Sequence, residues 1–437
     1  MWSDPIRSPA TLNPMAIFSR STAFSRVTAL AARRPLHAAF AWIHNHPRDI
    51  MDWQSALVAI PGPPFGEQAR ASWIAERFRQ SGLANVHIDT IGNVIGTLPV
   101  VNESVNPGGS VIVLSAHLDT VFPAGTTLNP TVSETNGCLR LSAPGACDNG
   151  AGVAGMLALV HALVECHVDL AVPVIVLANV GEEGEGDLRG VRHFYSDSPL
   201  AHRVAAHIVL DGAGADSAVT QALGSLRFQV TINGPGGHSF TDAGTPNPIS
   251  ALAAALALVT KTQLPDEPRT TLNIGTIRGG TSVNSIPETA SSSIDFRSTG
   301  TEELTRLEVA LHRAVEDAVE QANAATRAYP GRSRGPLTYV ITKIGDRPAA
   351  HLPLESPILD ALRSVDRHLG LRTDLRLGST DANIPLARGI PALSIGAGGD
   401  GGGAHTLAEW YTDKDRELGL RRVLLLMLAI AEWAAEQ

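Results

Sequence analysis

Short apolar runs that alternate with helical patterns dominate the chain. Four of these runs lack the polar alternation of a half-exposed strand, which predicts strands buried on both faces of a parallel sheet. The runs cover residues 110–116, 171–180, 206–212 and 390–396. Helical periodicity lies between or after them, at residues 67–82, 151–166, 355–369 and 416–436. This alternation predicts an α/β fold with a mixed, mostly parallel, doubly wound sheet.

Residues 226–344 follow a different pattern. The stretches "LRFQVTI", "TTLNIGTI", "TASSSIDFRS" and "LTYVITKI" carry mostly antiparallel strand signals, and two helical patterns lie among them. We interpret this region as a compact α+β unit inserted into the first domain. The predicted division is a leader at residues 1–40, a first domain in two parts at 41–222 and 347–437, and an inserted domain at 223–346.

The two ends of the chain differ in composition: the N-terminal segment is basic, and the C-terminal stretch is apolar. Residues 5–36 contain several Arg and Ser but no acidic residue, which loosely resembles a transit peptide without its clean apolar region or cleavage site. We expect residues 1–40 to be a disordered leader, with Met15 and Met51 as candidate start residues. The apolar stretch at residues 423–435 is too short to cross a bilayer and predicts a buried C-terminal helix.

Composition excludes several classes of protein. The net charge is −9, and no basic patch stands out, so neither a nucleic-acid nor a membrane partner is expected. The three cysteines form no CxxC pair, so the sequence implies neither a disulfide framework nor a cysteine zinc site. A reducing compartment fits best, and we predict a cytoplasmic location.

Histidines and carboxylates follow the predicted buried strands. Because ligands in open α/β sheets bind outside the carboxyl ends of the strands, these side chains are expected to meet at one edge. They are His117 and Asp119 in "SAHLDTV", Asp148 in "GACDNGAG", Glu182 and Glu183 in "GEEG", Asp211 in "LDGAG", and His405 in "GGGAHT".

This set of side chains predicts a two-metal hydrolase. Adjacent Glu182 and Glu183 repel each other near a low-dielectric interior unless a cation, a proton or open water compensates them. Imidazole and carboxylate ligands suit zinc, with Mn or Co as substitutes. One carboxylate can bridge two cations while a glutamate outside the metal shell accepts a proton. Each residue alone has an ordinary explanation, such as a helix cap at Asp148, but their coincidence at the strand ends favours a shared site.

These motifs, in this order, resemble the di-zinc metallopeptidase family of peptidase T, carboxypeptidase G, aminoacylase and acetylornithine deacetylase. The resemblance covers about residues 50–437. It implies that His117 and Asp211 bind one zinc, that Glu183 and His405 bind the other, and that Asp148 bridges them. It also implies Glu182 as the general base, Asp119 as the residue that orients His117, and a cis peptide bond from Asp148 to Asn149.

The inserted domain is similar to the family's lid and dimerisation domain. The resemblance implies that His238 in "GPGGHSF" reaches the active site of the partner subunit in a homodimer. Asn284 in "GGTSVNSIP" and Arg297 in "DFRS" match positions that bind a substrate carboxylate in relatives. A guanidinium fork suits that ligand. Asn284 in a turn and Arg297 on a surface strand are the ordinary alternatives.

Several functions remain open at this stage. The sequence looks nearer to peptidase T, which favours an exopeptidase for di- or tripeptides, with an N-acyl amino-acid deacylase or a carboxypeptidase as the alternative. The GxSxG spacing of a serine hydrolase elbow occurs at residues 331–335, where it follows a predicted helix instead of a strand, so that class is disfavoured. A catalytically silent dimeric binding protein would be expected to lack a ligand or the base. Gly181 stands where the family often has Asp, and Cys147 precedes the bridging residue, where we expect it to be only a packing group.

Overall fold

The computed structural model describes residues 20–98, 100, 109–326 and 334–437. Prolines and asparagines mark several helix starts, as at Asn247, whose side chain caps a helix that begins with Pro248. The helices are α1 (Arg20–Ala31), α2 (Arg34–Asn45), α3 (Pro47–Val58), α4 (Gln68–Gln80), α5 (Gly150–Glu165), α6 (Arg189–Asp197), α7 (Pro248–Val259), α8 (Thr301–Thr326), α9 (Pro357–Leu369), α10 (Asn383–Ala387) and α11 (Arg416–Ala434).

The strands range from long lid strands to two-residue pairs. They are β1 (Ala84–Ile88), β2 (Val94–Leu98), β3 (Val111–His117), β4 (Thr131–Thr135), β5 (Cys138–Ser142), β6 (Val174–Asn179), β7 (Val204–Leu210), β8 (Ser217–Ala222), β9 (Gly224–Asn233), β10 (Gly237–His238), β11 (Thr270–Gly279), β12 (Ser285–Ile286), β13 (Thr289–Ser298), β14 (Thr338–Arg347), β15 (Ala350–His351), β16 (Asp374–Gly378), β17 (Ala392–Ile395), β18 (Asp400–Gly402) and β19 (Trp410–Thr412).

The main sheet is mixed, as predicted. Its strand order is β1-β2-β6-β3-β7-β17-β8-β15, with β16 paired to β8. The four predicted apolar runs form its centre, where β6, β3, β7 and β17 are parallel. Strands β1 and β2 on one side, and β8 on the other, add antiparallel pairs. The parallel character therefore belongs to the centre, and the margins are antiparallel except where β16 pairs with β8.

Helices on both faces explain why the central strands are apolar throughout. In β3, Ile112 and Leu114 join the larger core, which also contains residues of α5, α9 and α11. The intervening Val111 and Val113 join a second core under α6, with Phe194. Alternate side chains of one strand thus enter opposite cores, which is the burial expected of a doubly wound sheet.

The inserted region has its own core. Strands β11, β13, β9 and β14 form an antiparallel sheet in that order. Helices α7 and α8 contribute Leu252, Leu307 and Leu311 to a cluster with Phe228 and Phe296 of the sheet. A separate ribbon pairs β10 with β12, and a further antiparallel sheet has the order β18-β19-β5-β4.

The expectation of a disordered leader at residues 1–40 is wrong for residues 20–40. Helices α1 and α2 place Leu30, Leu36 and Ala39 in the larger core. In α2, Leu36, Ala39 and Ile43 are spaced as one apolar stripe, which packing against the other core helices buries. Met51, a candidate start residue, lies inside α3 and is buried. Residues 1–19, including Met15, lie outside the described residues.

The C-terminal apolar stretch forms the second half of α11, and its side chains are mostly buried. Within the described ranges, no helix has both the length and the hydrophobicity needed to cross a bilayer.

Candidate metal centre

The first group of ligand atoms surrounds His117 at the end of β3. The side chain is almost completely buried, at 2% exposure. Its Nε2 lies 3.1 Å from Oδ1 of Asp148 and 3.8 Å from Oδ1 of Asp211, which follows β7. Because β3 and β7 are parallel neighbours, their carboxyl ends bring His117 and Asp211 to the same edge.

The second group surrounds His405, in the loop between β18 and β19. Its Nε2 lies 3.0 Å from Oδ2 of Asp148 and 3.1 Å from Oε1 of Glu183. The His405 side chain is 55% exposed, so this group faces solvent while the first is enclosed. Its φ of 64° is unusual for a residue that is not glycine, and the glycines before it give the loop the freedom to turn.

Asp148 lies between the two groups, with one carboxylate oxygen towards each histidine. The following peptide bond, Asp148–Asn149, is cis, as the resemblance implied. Asn149 caps α5 by accepting the N–H of Gly152 at 3.1 Å, and it donates to the main-chain oxygen of Leu210 at 2.9 Å. The helix start is thereby tied to the end of β7, next to Asp211.

Asp119 fixes the loop that carries the glutamate pair. It is fully buried, and its two carboxylate oxygens accept the main-chain N–H groups of Glu182 at 2.9 Å and Glu183 at 2.8 Å. The Nδ1 atom of His117 lies 3.1 Å from the main-chain oxygen of Asp119 and 3.6 Å from its carboxylate. The shorter contact makes the main-chain oxygen the hydrogen-bond acceptor for His117.

Glu182 is only 5% exposed, and its carboxylate lies within 4.8 Å of ligand atoms of His117 and Glu183. One of its oxygens accepts a hydrogen bond from Nη1 of Arg347 at 3.2 Å. Burial raises the pKa of Glu182 well above its usual range, and nearby Asp381 and Glu183 add to this, while Arg347 and His117 oppose it.

Negative charge is concentrated around the two histidines. Burial lowers the pKa of His117, but the nearby carboxylates of Asp119, Asp148 and Asp211 outweigh it and leave that pKa well above its usual range. The hydrogen bond to Asp148 raises the pKa of His405 to about 9. Burial and Asp148 together raise the pKa of Glu183 to about 7. Such a cluster favours a positive charge among its members.

The donor set fits divalent cations. The described residues contain three groups in which the ligand atoms of a group lie within 4.8 Å of one another. The groups are His117 with Asp148 and Asp211, Asp148 with Glu183 and His405, and His117 with Glu182 and Glu183. Imidazole nitrogen and carboxylate oxygen are the ligands that zinc, manganese and cobalt share. Asp148 belongs to two groups, and such a shared carboxylate can hold two cations close together.

The three substrate-binding candidates lie in the inserted domain. His238 is in β10 and pairs with Ser285, next to Asn284, across the short ribbon. Arg297 lies in β13 and donates from Nε to Asp295 at 2.8 Å. Within the described residues, no contact joins His238, Asn284 or Arg297 to the ligand residues of the same chain.

Two buried acidic residues near the candidate ligands, Glu409 and Asp381, were not identified from the sequence. Buried Glu409 accepts main-chain N–H groups from Gly145, Cys147 and Asp148 at 2.7–2.8 Å. Buried Asp381 accepts the side-chain amide of Asn179 at 2.7 Å, and burial raises its pKa to about 7. The acidic residues in "HTLAEW" and "GSTDANIP" were the available signal, since each interrupts an otherwise uncharged stretch.

The fold, and the aspartate that two groups of histidine and carboxylate share, are the arrangement expected of a metal-dependent peptidase or amidohydrolase. A sequence model of Peptidase family M20/M25/M40 matches residues 113–429, and the chain belongs to this family.

The curated proteins with similar sequences include several named as probable carboxypeptidases. A probable carboxypeptidase of Aspergillus flavus is 30% identical over 240 residues, which is 51% of this chain and 54% of that protein. A second probable carboxypeptidase of the same species is 27% identical over 330 residues, covering 69% of this chain and 76% of that protein. The chain thus spans about half the length of the first curated relatives it matches.

Solved structures show the same fold at low sequence identity. A tripeptidase from Staphylococcus aureus has a TM-score of 0.65 and 22% identity, covering 89% of this chain and 98% of its own. A di-peptidase from Saccharomyces cerevisiae has a TM-score of 0.63 and 14% identity, with 91% and 98% covered. A dinuclear metal binding peptidase from Bacillus subtilis has a TM-score of 0.60 and 17% identity, with 90% and 99% covered.

Proposed function

We propose that the chain is a zinc-dependent exopeptidase that releases amino acids from di- and tripeptides. The observation that carries the proposal is the placement of Asp148, whose two carboxylate oxygens each face a different histidine, beside the buried carboxylate of Glu182. A structural aspartate at a helix start would need neither of these contacts, whereas a shared metal ligand needs both.

The proposed ligand assignment follows the two groups. His117 and Asp211 would hold one cation, Glu183 and His405 the other, and Asp148 both. Zinc is the proposed metal, with Mn²⁺ or Co²⁺ as substitutes. Two cations bound here supply Lewis acidity and make a water molecule more acidic.

Glu182 is the proposed general base. It takes a proton from the attacking water and then gives that proton to the departing amine nitrogen. Asp119 holds the main chain of Glu182 and Glu183, so it keeps the base in line with the ligands.

His238 is the proposed donor to the oxyanion. Its Nδ1 accepts the main-chain N–H of Phe240 at 3.2 Å, which leaves the proton on Nε2. An exposed imidazole in that tautomer can donate a hydrogen bond to a carbonyl oxygen that gains charge. We propose that it does so in the partner subunit of a homodimer formed through the inserted domain, and that Asn284 and Arg297 bind the substrate carboxylate.

A carboxypeptidase is the second candidate, favoured by the names of the fungal relatives. An N-acyl amino-acid deacylase would use the same centre, because both reactions hydrolyse an amide next to a free carboxylate. A silent binding protein is disfavoured, because Glu182 and the ligand side chains are all present and lie together. The cytoplasm is the proposed location, because the three cysteines are free thiols.

The test is a hydrolysis screen of metal-loaded and chelated protein. The panel contains di- and tripeptides with free ends, the same peptides acetylated or amidated, and N-acyl amino acids, with Glu182→Gln as the blank. Chelator-sensitive release that requires a free amino end establishes an aminopeptidase. Release from acetylated peptides but not amidated ones identifies a carboxypeptidase, and release from N-acyl amino acids alone identifies a deacylase. Absence of turnover in protein that holds two metals per chain would reject the proposal.

A further inference from the structure

The guanidinium of Arg347 holds the "GEEG" loop at Glu182 in two ways. Nη1 donates to the side-chain carboxylate of Glu182 at 3.2 Å, and Nη2 donates to the main-chain oxygen of the same residue. Nη1 also donates to Oγ of Ser379 at 3.2 Å. Arg347 is 6% exposed, so it has little surface left for a solute. One planar cation thus fixes both the backbone position and the side-chain direction of the proposed base.

The same arginine also reaches the far end of the loop. Its Nε lies 3.8 Å from Oδ1 of Asp187. The other oxygen of Asp187 accepts the main-chain N–H of Asp346 at 2.9 Å. Asp187 and Leu188 have φ values of 51° and 60°, so the loop ends in a tight left-handed turn rather than a relaxed coil. The segment 181–188 is therefore held at Glu182 and at Asp187 by Arg347 and Asp346, which are neighbours in one strand.

That strand connects the two domains. Arg347 is the last residue of β14 and pairs with Ser225, near the start of β9. The chain enters the inserted domain at β9 and leaves it at β14, so the two crossings run side by side. The side-chain amide of Asn383 donates to both, at 2.9 Å to Leu223 and 3.0 Å to Pro348. The point from which Arg347 extends is thus anchored to the first domain.

We propose that Arg347 is a positioning residue for Glu182, which it fixes against the ligand atoms from the crossing between the two domains. This inference rests on the proposed function of Glu182. Lysine has a single ammonium group and cannot hold the side chain and the main chain of Glu182 with the same geometry. An uncharged residue would leave the carboxylate buried without its cation.

The test compares Arg347→Met and Arg347→Lys in the metal-loaded full chain, with Arg422→Lys as the matched control. Arg422 is also buried and paired, with Asp366 at 2.7 Å. We expect Arg347→Met to lower kcat about 100-fold with little change in KM, because a small displacement of the base has that effect. Arg347→Lys should recover part of the loss, metal content should stay unchanged, and Arg422→Lys should keep wild-type kcat.

Two further readouts separate positioning from other roles. In the Glu182→Gln background, Arg347→Met should cause no further loss of kcat, because the base that Arg347 positions is already absent. Amide hydrogen exchange in the segment 181–188 should accelerate in Arg347→Lys and not in Arg422→Lys. A raised KM with unchanged kcat, an additional loss in the Glu182→Gln background, or unchanged exchange would overturn the proposal.

The outcomes also distinguish this proposal from the one it rests on. If the wild type cleaves no amide, the proposed function fails, while hydrogen exchange still reports whether Arg347 fixes the loop. If Arg347→Met does not fold, Arg347→Lys and its exchange pattern decide. Wild-type kcat in Arg347→Lys, with Glu182→Gln inactive, would reject the positioning role and leave the proposed function standing.

Discussion

Glu409 accepts the main-chain N–H of Asp148 at 2.8 Å. The same carboxylate accepts the N–H of Cys147 at 2.8 Å and that of Gly145 at 2.7 Å. Buried Glu409, which comes directly before β19, thus holds the backbone turn that contains Asp148. The orientation of Asp148 depends on a residue that is 261 positions away in the chain.

Replacement of Glu409 by Gln should weaken metal binding. The NH2 of glutamine cannot accept the N–H groups that the replaced carboxylate oxygen accepted, so the turn that carries Asp148 loses part of its support. We expect a loss of about 10- to 100-fold in metal affinity, as found for partners that orient metal ligands. Titration calorimetry with Zn²⁺ measures this directly. Glu417→Gln, a surface change on α11, is the control and should bind as the wild type does; equal affinities in both variants would contradict the role of Glu409.

Replacement of Glu182 by Gln should strongly reduce turnover without loss of metal. Gln keeps the size of the side chain but cannot accept the proton of the attacking water, so kcat should fall by about 10²–10⁴. Steady-state kinetics and metal analysis of the same sample provide the measurement. Glu185→Gln lies in the same loop on an exposed residue and should retain activity. Near wild-type turnover in metal-loaded Glu182→Gln would remove Glu182 from its role.

Local patterns were enough to predict the centre of the fold. The four apolar runs became the four parallel strands, because a strand buried on both faces has a distinctive composition. The candidate ligands His117 and Asp211 were predicted from the same strands, because His117 ends β3 and Asp211 comes directly after β7. The elements that were missed include short strands, such as β18 and β19 of the separate antiparallel sheet, which have three residues each.

Other features depend on contacts that no local pattern carries. Arg347 and Glu182 are 165 residues apart, and only the crossing between domains brings them together. The leader prediction failed for a different reason. The absence of acidic residues suggested a targeting segment, whereas the spacing of Leu36, Ala39 and Ile43 indicates a core helix. Periodicity was the better guide than composition at that position.

The buried His207 should make the fold sensitive to acid. It lies on β7 between Oη of Tyr195 at 3.0 Å and Oγ of Ser115 at 2.8 Å, and burial lowers its pKa from 6.5 to about 3. Between these two pH values the unfolded chain binds a proton that the folded chain does not, so stability falls as pH falls from 6.5. The contribution lost by pH 5 is about 2 kcal/mol.

The measurement is the difference in unfolding free energy between the wild type and His207→Asn at pH 7, 6 and 5. Other titrating groups are common to both proteins and cancel in the difference. The advantage of the wild type should shrink as the pH is lowered, because only the wild type must exclude the proton of His207. A difference that stays constant over this range would mean that His207 does not titrate on unfolding.

The location of His238 relative to its target site can be decided with mixed dimers. Alone, His238→Ala should lose about 100-fold in kcat through the missing oxyanion donor, and Glu182→Gln should be inactive through the missing base. If His238 acts in the partner's site, a heterodimer of the two variants has one site that contains both residues. Heterodimers purified through two different tags should then recover about half of the wild-type activity per dimer. If His238 acts in its own chain, neither site of the heterodimer is complete, and recovery should be absent. Size-exclusion chromatography of the same samples shows whether a dimer exists, and a monomer with full activity would contradict the homodimer itself.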